Sequence, residues 1–219
     1  MELIEGLESR ASIRGFKSTP VSNETIRKIL HAASRCPSYT NSQPWEVAVV
    51  TGAKRDEVSK ILYDLAASGV KSNADVPAPK SWPEDIDTRT KIHGAKRFEA
   101  LGIGRDDTVR RNEMRLQNFK FFDAPCAMFI FMDKSLGPWS TMDMGIFIHG
   151  LTLAAHGLGL GTCLQASLAN YPDAVRSALN IPSNMQLVVG MSLGYPDPDA
   201  PLNKYKSTRV DVDSFTHWY

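Results

Sequence analysis

The mostly apolar stretch from Met142 to Leu158 most restricts what this chain can fold into. Read as a helix, it places Phe147, Leu151, Ala154 and Ala155 on its dominant face, yet it is apolar on more than one side. Such a helix has to be surrounded, either at the centre of a domain or by a partner subunit. Ala127 to Met132 and Met185 to Leu193 are near-continuous apolar runs and read as interior strands, and Glu46 to Val50 as a further buried strand. Helices are predicted over Glu2 to Arg10, where Leu3, Ile4 and Leu7 recur at helical spacing, and over Lys54 to Ala67 and Tyr171 to Leu179. Another begins behind Ser22, carries Ile26, Ile29, Leu30 and Ala33 on one face, and stops before Pro37. These elements do not alternate as strand–helix–strand units, so the expected class is α+β. No internal repeat or low-complexity tract interrupts them.

The whole chain, residues 1–219, is read as one domain with a lid-like excursion at about residues 70–117. There Pro77, Pro79 and Pro83 break regular structure, and Glu84 to Arg115 is dense with mixed charge. Short helices carrying Phe98, Leu101, Val109, Met114 and Leu116 are expected. A charge-rich excursion is ordinarily a solvated face, but long insertions also serve as flaps over a site. Trp82, Phe98 and Phe119 are aromatic enough to stack on a planar substrate, although core packing is the expectation for each.

A formal net charge of +1 gives no general basic field for nucleic acid or an anionic membrane surface. The three cysteines, Cys36, Cys126 and Cys163, lie far apart without a paired spacing, which argues against both a disulfide framework and a zinc site. No apolar run reaches the ~18 residues needed to cross a bilayer, and the start MELIEGLESR is too acidic for a signal peptide. A cytoplasmic protein is expected. The five histidines form no metal spacing.

Two short motifs carry chemistry. Arg10-Ala-Ser12-Ile-Arg14 offers two guanidiniums and a hydroxyl at alternate positions, so an extended or turn conformation turns all three one way. Arginine forks make paired, charge-assisted bonds to phosphate; the competing reading is a cationic end to the Glu2–Arg10 helix. Ser38-Tyr39-Thr40-Asn41-Ser42-Gln43-Pro44-Trp45 sets two amide side chains on a loop ahead of a strand, because Pro44 bars a continuing helix. An amide presents both donor and acceptor, which suits the uracil-like edge of a flavin ring; local backbone capping is the bland alternative. Trp45 is expected in the core.

These two motifs, with Gly194-Tyr195-Pro196 and Arg209 downstream, resemble the FMN-dependent nitroreductase family over nearly the whole chain. The resemblance implies a central, mainly antiparallel sheet flanked by helices, in an intertwined homodimer with FMN sites at its interface. It carries Arg10, Ser12 and Arg14 onto the phosphate, ribityl and ring-edge contacts, and Arg209 onto the phosphate with Lys206 as helper. Asn41 and Gln43 are carried onto the ring, and Ser38 and Tyr39, with Thr40, towards the neighbouring subunit's flavin. The backbone of Leu164, Gln165 and Ala166 is carried to the flavin N5; many relatives have an acidic residue there, and Gln165 departs from that. The segments LGPWSTMDMG, GLGTCLQAS and GYPDPDAPLN look most like the nitrobenzoate and dinitroaniline branch.

Gly157-Leu-Gly159-Leu-Gly161 is not a dinucleotide fingerprint, because these glycines follow a helix rather than a strand. Helix termination accounts for them. Cys163, alone in an apolar stretch, reads as a small core residue rather than a nucleophile. Asp143 and Asp123 read as caps, and no acid–base residue is assigned.

The implied activity is electron transfer from NAD(P)H, through flavin N5, to a nitroaromatic, quinone or related conjugated acceptor, with the substrates alternating in one cleft. The same scaffold would also support reductive dehalogenation or the flavin cleavage of cobamide ligand synthesis. A non-catalytic flavin-binding sensor is the alternative from another class.

Overall fold

A computed structural model describes residues 2–219. Four strands form one sheet: β1 (Glu46–Thr51), β2 (Cys126–Asp133), β3 (Gly161–Gln165) and β4 (Met185–Gly194), in the order β1-β2-β4-β3 with every neighbouring pair antiparallel. The helices are α1 (Leu3–Ser9), α2 (Asn23–Ala33), α3 (Gly52–Ala67), α4 (Glu84–Glu99), α5 (Thr108–Gln117), α6 (Pro138–Gly157), α7 (Pro172–Leu179) and α8 (Pro201–Lys204).

The unbroken apolar character of β2 follows from its central place. Ala127, Phe129 and Phe131 point into a core shared with α3 and α7, while Cys126, Met128, Ile130 and Met132 point into a second core shared with α2 and α6. Alternate side chains of one strand therefore seed two cores, and neither face can be polar. On α6, Met144, Phe147, Leu151 and Ala155 fill the second core, and Trp45 stacks on Phe147 with ring centroids 4.4 Å apart. The opposite side of α6, with Met142 and Gly145, faces outward.

Two elements depart from the sequence reading. The expected short helices of the excursion include one of 16 residues, α4, with no buried residue. Its stability lies along its surface. Glu84, Asp85 and Asp87 occupy the first turn and Lys96 and Arg97 the last, matching the helix dipole, and Asp85 pairs with Arg89 at 3.1 Å one turn on. The large apolar residues of α4, Ile86, Ile92 and Phe98, recur every six positions and so leave no helical period to read. The other departure is β3. Gly159, at φ +76°, terminates α6 as expected, but Gly161 belongs to the strand that follows. The aromatics also divide: Phe119 is core, Phe98 lies under Arg111 at 4.1 Å, and Trp82 is exposed rather than packed.

The start of the excursion is strapped to the body. Arg176 donates to both oxygens of Asp75, to Asp173 at 2.6 Å and to the carbonyl of Met185 at 2.9 Å, and Asp75 also accepts from the Leu187 N–H at 2.7 Å. The Arg176 and Asp75 side chains are only 8 % and 13 % exposed, so removing one partner strands a charge away from water. Arg176→Met should cost about 3–5 kcal/mol, read as a lower urea midpoint. The double variant Arg176→Met, Asp75→Leu should recover much of that loss; equal destabilisation by both would refute this account.

Candidate functional site

The Arg10–Arg14 segment is extended, and it is held against the sheet by two contacts. Ser12 bridges Thr162 at the start of β3, where the Ile13 N–H donates to the Thr162 carbonyl at 2.9 Å. Phe16 bridges Pro196, just past β4, and the Lys17 N–H reaches the Tyr195 carbonyl at 2.9 Å. Glycine at 161 makes the approach possible: a Cβ there would lie 2.5 Å from Ile13 Cγ1. Asn203 secures the far end, accepting from the Arg14 N–H at 2.7 Å and donating to the Gly15 carbonyl at 2.8 Å.

This places Arg10 and Arg14 beside cations from two distant parts of the chain. Burial, and then the neighbouring Arg209 guanidinium, lower the Arg10 pKa. Burial, and then Arg14, lower that of Arg97 on α4. His93, one turn before Arg97, has its pKa lowered by burial and then by Arg97, Arg14 and Arg209. Among the described residues none of these four arginines makes an ion pair. Each guanidinium retains free donors; Arg209, for example, uses Nη1 on Ser207 Oγ at 2.8 Å and the Thr208 carbonyl at 3.0 Å. Like charges gathered without a carboxylate are the donor set that a phosphate dianion requires. FMN therefore fits these residues.

The amide loop is a short turn, Tyr39–Asn41, carrying an unusual backbone. Thr40, Asn41 and Gln43 have φ of +49°, +59° and +48°, a region that costs non-glycine residues roughly 1–2 kcal/mol each. Asp143 holds the turn in place. This carboxylate, 1 % exposed in the second turn of α6, accepts from the Tyr39 N–H at 3.0 Å and from Ser42 Oγ at 3.5 Å. Ser38 Oγ accepts from the Gln43 N–H at 3.0 Å, and Gln43 Nε2 donates to the Asn41 carbonyl at 3.3 Å. The Asn41 and Gln43 side chains are exposed. Tyr39 stacks on Trp139 with centroids 5.5 Å apart, and both rings remain largely exposed.

β3 is an edge strand. Beyond the Ser12–Thr162 bridge, the outer edge of Cys163–Gln165 has no strand partner among the described residues. Leu164 points outward, 43 % exposed, and Ala166 is exposed. Gln165 points inward, 3 % exposed: its Nε2 donates to the Asn118 carbonyl at 2.9 Å and its Oε1 accepts from Ser192 Oγ. The Gln165 side chain is therefore consumed inside the protein, leaving backbone at the surface. Cys163 is core, as expected; burial raises its thiol pKa, outweighing the opposing pull of Arg14 and Arg97.

Arg10, Ser12, Arg14 and Arg209 are thus gathered in one region along the start of β3. Tyr205, Ser207 and Arg209 line a cleft facing α4, and Lys206, between them in sequence, is exposed. Arg97, His93 and Tyr205 were not read from the sequence. His93 Nδ1 lies 3.0 Å from Tyr205 Oη, tying α4 to the segment that carries Arg209. Their only sequence signal is the four-residue spacing of His93 and Arg97, which has meaning once α4 is known to be helical.

Residues 7–195 match the Nitroreductase family. The chain is 35 % identical to the nitrobenzene nitroreductase of Ectopseudomonas oleovorans over 214 residues, covering 96 % of this chain and 93 % of that protein. The crystal structure of the FMN- and NADPH-dependent nitroreductase NfnB from Sphigopyxis sp. strain HMH superposes with a TM-score of 0.96 at 30 % identity, over 100 % of this chain and 99 % of that one. FMN-dependent NfnB from Mycobacterium smegmatis, in complex with NADPH, gives 0.94 at 30 % identity, over 99 % and 97 %. A four-stranded antiparallel sheet flanked by helices, with an arginine-lined edge strand, defines a flavoprotein-type scaffold. The chain belongs to the nitroreductase family.

Asp143→Ala should loosen the strained turn by removing the acceptor of the Tyr39 N–H. A loss of about 1–3 kcal/mol would raise hydrogen exchange at that amide by roughly 10- to 100-fold, with Asp143→Asn near wild type. Unchanged exchange in the alanine variant would show that Asp143 does not hold the turn. For Cys163, the raised pKa predicts resistance to iodoacetamide near neutral pH, and Cys163→Ala should leave cofactor content unchanged. Rapid alkylation would restore the nucleophile reading.

Proposed function

We propose that this protein is an FMN-dependent oxidoreductase that uses NAD(P)H to reduce nitroaromatic, quinone or related conjugated acceptors, the two substrates alternating in one cleft. The observation that carries this is the group of four guanidiniums, without a carboxylate partner among the described residues, beside an open strand edge. FMN, when bound, supplies the redox chemistry. The protein supplies anchoring and electrostatics. Arg10 and Arg209 hold the phosphate, Ser12 and Arg14 the ribityl chain and ring edge, and Asn41 and Gln43 the polar edge of the ring. The outer backbone of Leu164–Ala166 faces the ring, and the cations stabilise the negative charge that reduction leaves there. The relatives' names, which specify FMN, NADPH and nitrobenzene, support this reading.

The working unit is a homodimer, with Ser38, Tyr39 and Thr40 turned towards the partner's flavin. Its support is the apolar surface left exposed in one chain: Leu3 and Ile4 on α1, Met142 on the outer side of α6, and Phe215 and Trp218 in the tail. Large apolar side chains left in water on three separate elements are surface that a partner subunit would cover. Residues 70–117 serve as a lid, with α4 delivering Arg97. A reducing cytoplasm suits the three free cysteines. Among the described residues no helix is long and apolar enough to cross a membrane.

Purified protein should be yellow, bleach anaerobically with NADPH and regain colour with a nitrobenzoate. No flavin uptake, even from excess FMN, would defeat the proposal; flavin without bleaching would favour a sensor. The Arg10→Ala, Arg209→Ala variant should fold yet purify nearly free of FMN. Normal FMN content in it would remove the phosphate assignment.

A further inference from the structure

A cleft of about 710 Å³ lies between α4 and residues 205–210, on the side of α4 that carries His93. Arg89, His93 and Lys96 project into it from one stripe of α4, spaced by four and then three residues. Tyr205, Ser207 and Arg209 line the opposite wall. No carboxylate lines it. Arg89 is held only by an exposed pair with Asp85 at 3.1 Å, a weak tether that a more highly charged anion displaces. Thr90 and Thr208 also line the wall, and Ile86, Ile92 and Val210 supply its apolar part.

We propose that this cleft binds the adenosine 2′-phosphate half of NADPH, and so sets a preference for NADPH over NADH. The inference rests on the proposed function, which requires a dinucleotide to bring its nicotinamide to the flavin. Three features fit that occupant. Arg89 and Lys96 are cations beside the Ser207 hydroxyl, which accepts from Arg209 and keeps its own proton to donate, the donor set of a phosphate monoester. The Tyr205 ring and the aliphatic residues offer a flat apolar surface for a purine. The volume lies within the roughly 300–1,000 Å³ typical of small-molecule sites. Arg209 links the two functions, since it lines the cleft and also neighbours Arg10. The cleft therefore opens beside the residues proposed to hold the flavin phosphate, on one continuous cationic surface.

The test uses the full-length, FMN-loaded protein and the double variant Arg89→Ala, Lys96→Ala, with Arg209 untouched. The KM for NADPH should rise about tenfold or more, the scale of a lost charge-assisted bond, while kcat and the KM for NADH stay near wild type. Adenosine 2′,5′-bisphosphate should compete with NADPH in the wild type and lose that competition in the variant. Equal effects on both dinucleotides, or none on either, would overturn the assignment. So would loss of FMN from the variant, which would give the cleft to the flavin's own phosphate. Calorimetric titration with adenosine 2′,5′-bisphosphate reads the cleft without turnover. A protein that took up no FMN would thus refute the proposed function while still answering for the cleft.

Discussion

The close approach of residues 10–16 to the start of β3 is the contact on which the site depends. It exists because Gly161 has no side chain: a Cβ would meet Ile13 Cγ1 at 2.5 Å. With Ile13 seated on the core and its N–H bonded to Thr162, the alternate residues Ser12 and Arg14 turn the other way, towards the cations of α4 and the tail. The same contact occupies the first part of the outer edge of β3 and leaves the rest open. One packing event therefore sets both the charge and the exposed backbone.

Charge assembled in this way is held at a cost. Burial and like neighbours both lower the Arg10 pKa, so the folded chain disfavours the very charge it positions. Arg97 is in the same situation beside Arg14. A structural cation would have a carboxylate; Arg176, with Asp75 and Asp173, shows how this chain builds one. The contrast separates the two kinds of arginine. Arg176 is satisfied internally, while Arg10, Arg14, Arg97 and Arg209 have no carboxylate partner among the described residues.

How much of this was legible depended on whether a residue's role is local. β2, α2 and α6 announce themselves because each buries a periodic or continuous apolar surface, and the Arg10–Arg14 and Ser38–Trp45 motifs because their residue types already specify the chemistry. β3 was missed because its five residues are made a strand by pairing with β4, with Thr162 and Gln165 buried through partners far away in sequence. α4 was expected only as a short helix carrying Phe98, and its full length was hidden because it has no fully buried residue and its surface pairs look like any solvated charged segment. Arg97 and His93 were hidden with it. Asp143 was legible as a cap, but the element it caps lies about a hundred residues earlier in the chain.

Three features of the site weigh against the stability of the fold taken by itself. They are the mutual repulsion of the guanidiniums, the left-handed backbone of Thr40, Asn41 and Gln43, and the polar helix α4 that rests on little apolar contact. On the proposed function FMN binding relieves the first two, since a dianion neutralises the first and ring contacts hold the second. A ligand present at 1,000 times its Kd returns about 4.1 kcal/mol to the folded state. That is a large share of the roughly 5–15 kcal/mol by which a domain is ordinarily stable. On the proposed function, the flavin phosphate would be the counter-charge of these cations and the ring the contact that holds the strained loop.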